Sequence, residues 1–272
     1  MLTAEQRRDF DQRGVVRLAG AADARIVETL HGEIQALIAK RGLTPEPSVW
    51  SATLHASKLA SVGKAHGFAE VWGARVTLAV DELIGAGKWL PPKYSGQILS
   101  MPWPRDDGKG WEVPHKGWHL DYRAPGFPHE LPGVQLFLCL DRLESHSGAT
   151  LVAAGLPRLV DAIRRRAGDA WPGSSLEVRK ALRRESLWFR ELNSIRPGED
   201  RSARFMTPTV EGDGLSLEVV ELSGEPGDVW LMHPWLVHSA SPNCGTRPRL
   251  VMTERIRTAA GLAAFAPPEE RE

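Results

Sequence analysis

From residue 94 onward the chain reads YSGQILSM (94–101), KGWHLDY (116–122), GVQLFLCL (133–140), ATLVAA (149–154), LSLEVVEL (215–222), GDVWLMH (227–233), LVHSA (236–240) and RLVMTERIRT (249–258). Each run is short, apolar or alternating, and bounded by Gly, Pro, Asn or Asp. That texture predicts a sandwich or barrel rather than alternating βαβ units. Two sheets folded over one another protect their edges, so the expected core is a double-stranded β-helix, the jelly roll of cupin-like folds, over about 94–258. A basic helical excursion over about 156–206 interrupts it, with RLVDAIRRRAG (158–168) followed by SLEVRKALRRESLWFREL (175–192).

The part before the strands, about 1–90, reads as helical. Thr3 opens a helix over 3–12 with Gln6 as its capping-box partner, Gly14 ends it, and VVRL (15–18) is a short strand. Asp23 caps ARIVETLHGEIQALIAK (24–40), whose apolar residues fall at 26, 27, 30, 34, 37 and 38, and Gly42 stops it. A further helix is expected over 67–86. The chain is thus a single mainly β domain, 1–272, with flanking helices.

Composition bounds the function. Lys plus Arg and Asp plus Glu both number 34, so no global field favours nucleic acid or an anionic membrane. No apolar run has the ~18 residues of a membrane span, and the opening MLTAEQRRDFDQRG has no signal-like apolar stretch. A cytoplasmic protein acting on a small molecule is expected; the sequence leaves the oligomeric state open. Cys139, in an apolar run, reads as a buried inert thiol. Ten tryptophans against two tyrosines is unusual. Trp103, Trp111 and Trp118 read as core and rim packing or as an aromatic wall around a pocket, with Trp118 and Trp103 the pocket candidates.

Nine histidines and 34 acids predict about one His-x-acid motif by chance, and the chain has two. His31-Gly-Glu33 lies on a predicted helix, where residues two apart face different ways. His119-Leu-Asp121 lies in a strand-like segment, where residues i and i+2 share a face and can hold adjacent positions on one ion. Far downstream, PGDVWLMHPWLVHSASPNCGTRPR (226–249) offers His233 and His238. Either would complete a set of two His and one carboxylate with three positions left open, the facial arrangement of non-haem iron(II) oxygenases. A closed structural zinc site would more commonly use four ligands with Cys among them.

At these residues the chain resembles the phytanoyl-CoA dioxygenase family of iron(II)/2-oxoglutarate enzymes. The resemblance runs through LTAEQRRDFDQRGVVRL, the HLD motif, DRLESHSGATLVAAG and GDVWLMHPWLVHSASPN…RPR. It implies His119, Asp121 and His238 as catalytic iron ligands, His233 as a pocket neighbour, and iron(II), 2-oxoglutarate and dioxygen as cofactor and cosubstrates. Arg249, eleven residues after His238, is implied as the anchor of the distal carboxylate of 2-oxoglutarate. A planar guanidinium suits that task, and Arg247 is the fallback. Gln97 and Gln135 are implied to face the cosubstrate. The small polar residue usual two after the distal His is Ala240 here, so its hydrogen bond comes from Ser239 or Ser241 or is missing. The usual Asn-Gly becomes His146-Ser147-Gly148, and Pro-Gly-Ser-His becomes Ala153-Ala154-Gly155-Leu156.

The expected reaction is oxidation, by default hydroxylation, of an unactivated C–H bond near Trp118, with release of succinate and carbon dioxide. Desaturation, ring closure and epimerisation are related outcomes, while Asp121 occupies the position a halogenase keeps open for halide. The basic excursion could serve as a lid, its arginine runs reading as a solvated helix face or as a contact for an anionic substrate. The alternatives are a cupin-like isomerase or hydrolase on the same ligands, or a non-catalytic jelly-roll binding protein.

Overall fold

A computed structural model describes residues 1–40, 59–99, 110–121, 131–168, 171 and 174–265. Helix α1 (Ala4–Arg13) begins with the expected capping box: the Thr3 hydroxyl accepts from the Gln6 amide, and the Gln6 side chain accepts from the Thr3 amide. It ends at Gly14, whose left-handed backbone lets its N–H reach the Phe10 carbonyl. The chain turns directly into β1 (Val15–Leu18) and then α2 (Ala24–Lys40), where the Asp23 carboxylate accepts from the Arg25 amide. The expected stop at Gly42 lies outside the described residues. The third predicted helix is present as α4 (Phe68–Ile84), preceded by the short α3 (Ala60–Ala65). Within α4 the backbone of Gly73 leaves helical geometry (φ 68°, ψ 175°), so the helix is kinked at the one residue that tolerates this.

Two antiparallel sheets face one another. The larger contains β1, β8 (Val229–Met232), β4 (Gly133–Cys139), β10 (Val251–Thr258) and β2 (Trp89–Leu90), with β3 (Gln97–Ile98) also paired to β10. The smaller runs in the order β6 (Thr209–Glu211), β7 (Leu215–Glu221), β5 (Thr150–Ala154), β9 (His238–Ala240). This is the predicted jelly roll. Alternation along each strand sorts residues between layers. On β4, Val134, Leu136 and Leu138 join Leu30, Ile34 and Trp72 beneath the N-terminal helices. Phe137 and Cys139 face inward with Met232, Val152 and Val251. Burial, with the Asp228 charge nearby, pushes the Cys139 thiol up to about 12, in keeping with the inert thiol expected.

The excursion forms α5 (Leu156–Ala167), α6 (Ser175–Glu185), α7 (Leu187–Leu192) and α8 (Arg201–Phe205). It is an outer layer and not a lid: Leu156, Val160, Val178, Leu182 and Phe189 pack on Leu151, Ala153, Leu217 and Val219 of the smaller sheet. Several of its arginines pair with acids of the same layer, Arg164 and Arg165 with Asp161 and Arg166 with Glu185, as a solvated face does. Arg201 pairs with Glu199 at 3.4 Å and does more. It is buried and donates to the carbonyls of Val113, Leu192 and Ser194 at 2.7–2.9 Å, tying the excursion to the strip that leads into the HLD motif. No helix among the described residues is long and apolar enough to cross a membrane.

His146 adopts φ 67°, a conformation that Asn also tolerates better than most residues, which accounts for the departure from the usual Asn-Gly. Its amide donates to Glu221 at 2.8 Å. Burial raises that carboxyl to about 7 against this hydrogen bond. A folded-state pKa above the unfolded one means the folded chain holds a proton that the unfolded chain has lost. The linkage therefore lowers stability as pH rises from about 4.5 to about 7, by at most ~3 kcal/mol. Urea unfolding of the wild type and of Glu221→Gln across that window should show the slope in the first and its loss in the second. Arg201→Met should cost about 3 kcal/mol in the same assay, because it leaves several buried carbonyls without donors.

Candidate metal centre

The smaller sheet gains a fifth edge where His119 meets His238. Each backbone N–H donates to the other's carbonyl at 2.9 Å, an isolated antiparallel bridge and not the longer strand that KGWHLDY suggests. His238 is also opposite Val152, an inward residue of β5, so both imidazoles point between the sheets. Their ring centroids are 4.3 Å apart. Asp121 follows on the same face: Oδ1 is 3.5 Å from His119 Nε2, and Oδ2 is 3.5 Å from His238 Nε2. One ligand atom from each residue lies within 4.8 Å of the others, and this is the one such group among the described residues.

The backbone sets the tautomers. His119 Nδ1 lies 2.7 Å from the Gly117 carbonyl and His238 Nδ1 lies 3.1 Å from that of Leu236. A carbonyl only accepts, so each Nδ1 carries a proton and each Nε2 is turned to the shared space, able to donate to Asp121 or, with a cation present, to offer its lone pair. Burial opposes charge on Asp121, but hydrogen bonds from His119 and His238, and the Arg255 charge, hold its carboxyl well below the usual range. Two imidazole nitrogens and a carboxylate, with no thiolate, suit a borderline divalent cation such as iron(II).

Arg249 is buried and donates through Nη1 to the Gly148 carbonyl at 2.9 Å, reaching from the start of β10 to the strand opposite. Burial lowers its pKa to about 10. Arg247 is instead a surface residue, 3.4 Å from Asp141. Asn243 braces the intervening loop, donating to the Arg247 carbonyl and accepting from the Gly245 amide. Gln135 is buried on the inner face opposite Arg255, and Gln97 is opposite Thr253 on the same face.

Four expectations need correction or cannot be placed. Trp118 is one residue out of phase with His119 and so lies on the outer face. There it packs with Leu120 and Leu151, its Nε1 donating to the Pro114 carbonyl at 2.8 Å. Ser239 is out of phase with His238 in the same way: it is opposite Leu151, and its hydroxyl donates to the Lys116 carbonyl at 3.2 Å. His233 is not part of the converging group. It lines a separate cleft of about 340 Å3 beside Phe10, Pro157 and Trp235, and burial lowers its pKa to about 3. Trp103 lies outside the described residues. The helical pair also separates as expected, Glu33 meeting His66 at 3.0 Å while His31 is 3.8 Å from Asp141.

The Phytanoyl-CoA dioxygenase (PhyH) family pattern matches residues 10–251. The chain belongs to the phytanoyl-CoA dioxygenase family. It is therefore an enzyme of the non-haem iron and 2-oxoglutarate class. No curated protein matches by sequence. Among solved structures, EctD from S. alaskensis with 2-oxoglutarate and 5-hydroxyectoine is similar at TM-score 0.50 and 16% identity, covering 96% of this chain and 77% of that one. HygX from Streptomyces hygroscopicus, with nickel and 2-oxoglutarate bound, matches at TM-score 0.47 and 15% identity over 95% and 88%. The epimerase SnoN from nogalamycin biosynthesis matches at 0.47 and 14% over 94% and 82%. The EctD likeness is one of fold.

The strip before His119 has a strict requirement. Gly117 has φ 84°, and a Cβ there would lie 2.9 Å from Ser239 Oγ. Gly117→Ala should lower stability by about 1–2 kcal/mol through left-handed strain. It should also weaken metal uptake, because the Gly117 carbonyl orients His119. Urea unfolding and anaerobic iron(II) titration read the two effects separately.

Proposed function

We propose that His119, Asp121 and His238 hold iron(II), and that the enzyme couples 2-oxoglutarate to oxidation of an unactivated C–H bond in a small molecule, with hydroxylation as the outcome. The observation that carries this reading is the convergence of two imidazole nitrogens and one carboxylate on the inner face of the barrel. Three protein donors leave half of an octahedral shell for a chelating keto acid and dioxygen. Bound iron and 2-oxoglutarate supply the oxidising power, the keto acid being decarboxylated to succinate and carbon dioxide as dioxygen is reduced.

The chain's own residues fix where this happens. The Gly117 and Leu236 carbonyls accept from Nδ1 of His119 and His238 and so hold each ring with Nε2 turned toward the shared space. Arg249, buried between the sheets, receives the far carboxylate of 2-oxoglutarate. Because burial already penalises its charge, an anionic partner there gains an interaction stronger than water would allow. Gln135 and Gln97 supply polar contacts along the same wall. The apolar residues Phe137, Met232 and Val152 line the inner face beside buried His238, while His119 stays half-exposed.

Anaerobic addition of iron(II) and 2-oxoglutarate should produce the weak visible charge-transfer band of a chelated keto acid. His119→Ala, Asp121→Ala and His238→Ala should each abolish it. Arg249→Met should leave iron binding intact and raise the 2-oxoglutarate KM at least tenfold, on the order of 1.4 kcal/mol or more for a lost charge-assisted pair. Succinate release stimulated by one member of a metabolite panel would identify the substrate. A band that survives loss of His238 would rule out this ligand set.

A further inference from the structure

Two inward groups have no role as ligands yet meet one. Arg255 on β10 and Gln135 on β4 are direct cross-strand partners. Arg255 Nη2 donates to Asp121 Oδ2 at 2.7 Å, and Gln135 Nε2 donates to the same oxygen at 2.9 Å. Oδ1 receives neither. It lies 3.5 Å from His119 Nε2, and Oδ2 lies the same distance from His238 Nε2. Among the hydrogen bonds of the described residues, Asp121 is the one partner of the Arg255 guanidinium.

We infer that Arg255 is a positioning residue of the metal centre: with Gln135 it clamps Oδ2 of Asp121, so that the carboxylate offers the cation Oδ1 alone. The inference rests on reading His119, Asp121 and His238 as metal ligands. Its consequence is a matter of counting. An octahedral ion with two imidazoles and a one-oxygen carboxylate keeps three positions free, two for a chelating keto acid and one for dioxygen. A carboxylate free to turn could bind through both oxygens, as such ligands do on other cations, and the dioxygen position would be lost. The Arg255 guanidinium meets Oδ2 through Nη2 alone, and its planar geometry fixes the direction of that bond as well as supplying charge. Gln135 adds a second donor from a rigid, fully buried strand position.

Cobalt(II) is a suitable probe, since its visible absorption reports ligand number and geometry. Full-length wild type, Arg255→Met, Arg255→Lys and Gln135→Met would be loaded anaerobically, their spectra recorded, and 2-oxoglutarate then titrated against each. Arg255→Met should still take up cobalt but show a changed spectrum and at least tenfold weaker 2-oxoglutarate binding, the scale typical of a group that orients a metal ligand. Arg255→Lys, which keeps the charge and loses the planar geometry, should show the same spectral change in weaker form. A spectrum and 2-oxoglutarate affinity unchanged in Arg255→Met would overturn the proposal and leave a structural ion pair. Full recovery in Arg255→Lys would overturn it too, because charge alone would then suffice. Should Arg255→Met fail to fold, Gln135→Met carries the same comparison, with a wild-type spectrum again decisive against the clamp. Wild type that takes up no cobalt, or uptake indifferent to His238→Ala, would instead overturn the metal reading itself.

Discussion

The two reciprocal backbone hydrogen bonds between His119 and His238 are the contact on which the site depends. They join segments more than a hundred residues apart, and they do so with main-chain groups, whose geometry leaves little freedom. Once the two residues are a hydrogen-bonded antiparallel pair, their side chains must leave the sheet on one face. Asp121 then joins them by the two-residue period. The convergence of the three side chains follows from one backbone pairing and one spacing.

A single bridge is a weak anchor by itself, and the surrounding structure strengthens it. Trp118 and Leu120, flanking His119 on the opposite face, are sealed beneath the helical layer. Arg179 donates to the Trp118 carbonyl at 3.1 Å and Ser175 accepts from the Leu120 amide at 3.3 Å, both from α6. Arg201 secures the strip further upstream at Val113. The excursion that interrupts the barrel in sequence therefore serves it in space, as a buttress for the segment that carries two of the three converging side chains.

Much of this was legible from residue order. The caps at Thr3 and Gly14, the run of short strands and the HLD spacing are local signals, and the structure follows them. The misplacements share one cause. Trp118 adjoins His119 and Ser239 offers a hydroxyl in place of the one missing at Ala240, yet each is next to a candidate ligand in sequence, and on extended chain adjacency means opposite faces. The same period that united His119 with Asp121 should have excluded them. Arg255 was hidden for a different reason. Its inward direction could be read from its even spacing to Arg249, but its meeting with Asp121 depends on the register of β10 against β4, which no local pattern encodes. His233 illustrates a third limit: the turn after β8 sends it toward α1, where it packs 5.9 Å from Phe10.

Cys139 shares the inner wall with Phe137 and Val251, a few residues along β4 from Gln135. A thiol held near pKa 12 is ionised in roughly one molecule in 10^5 at neutral pH, and it is the thiolate that captures soft metals and reacts with oxidants. Hydrocarbon surroundings thus keep this sulfur in its neutral, weakly nucleophilic form, so that Cys139 serves the inner wall as a small apolar side chain.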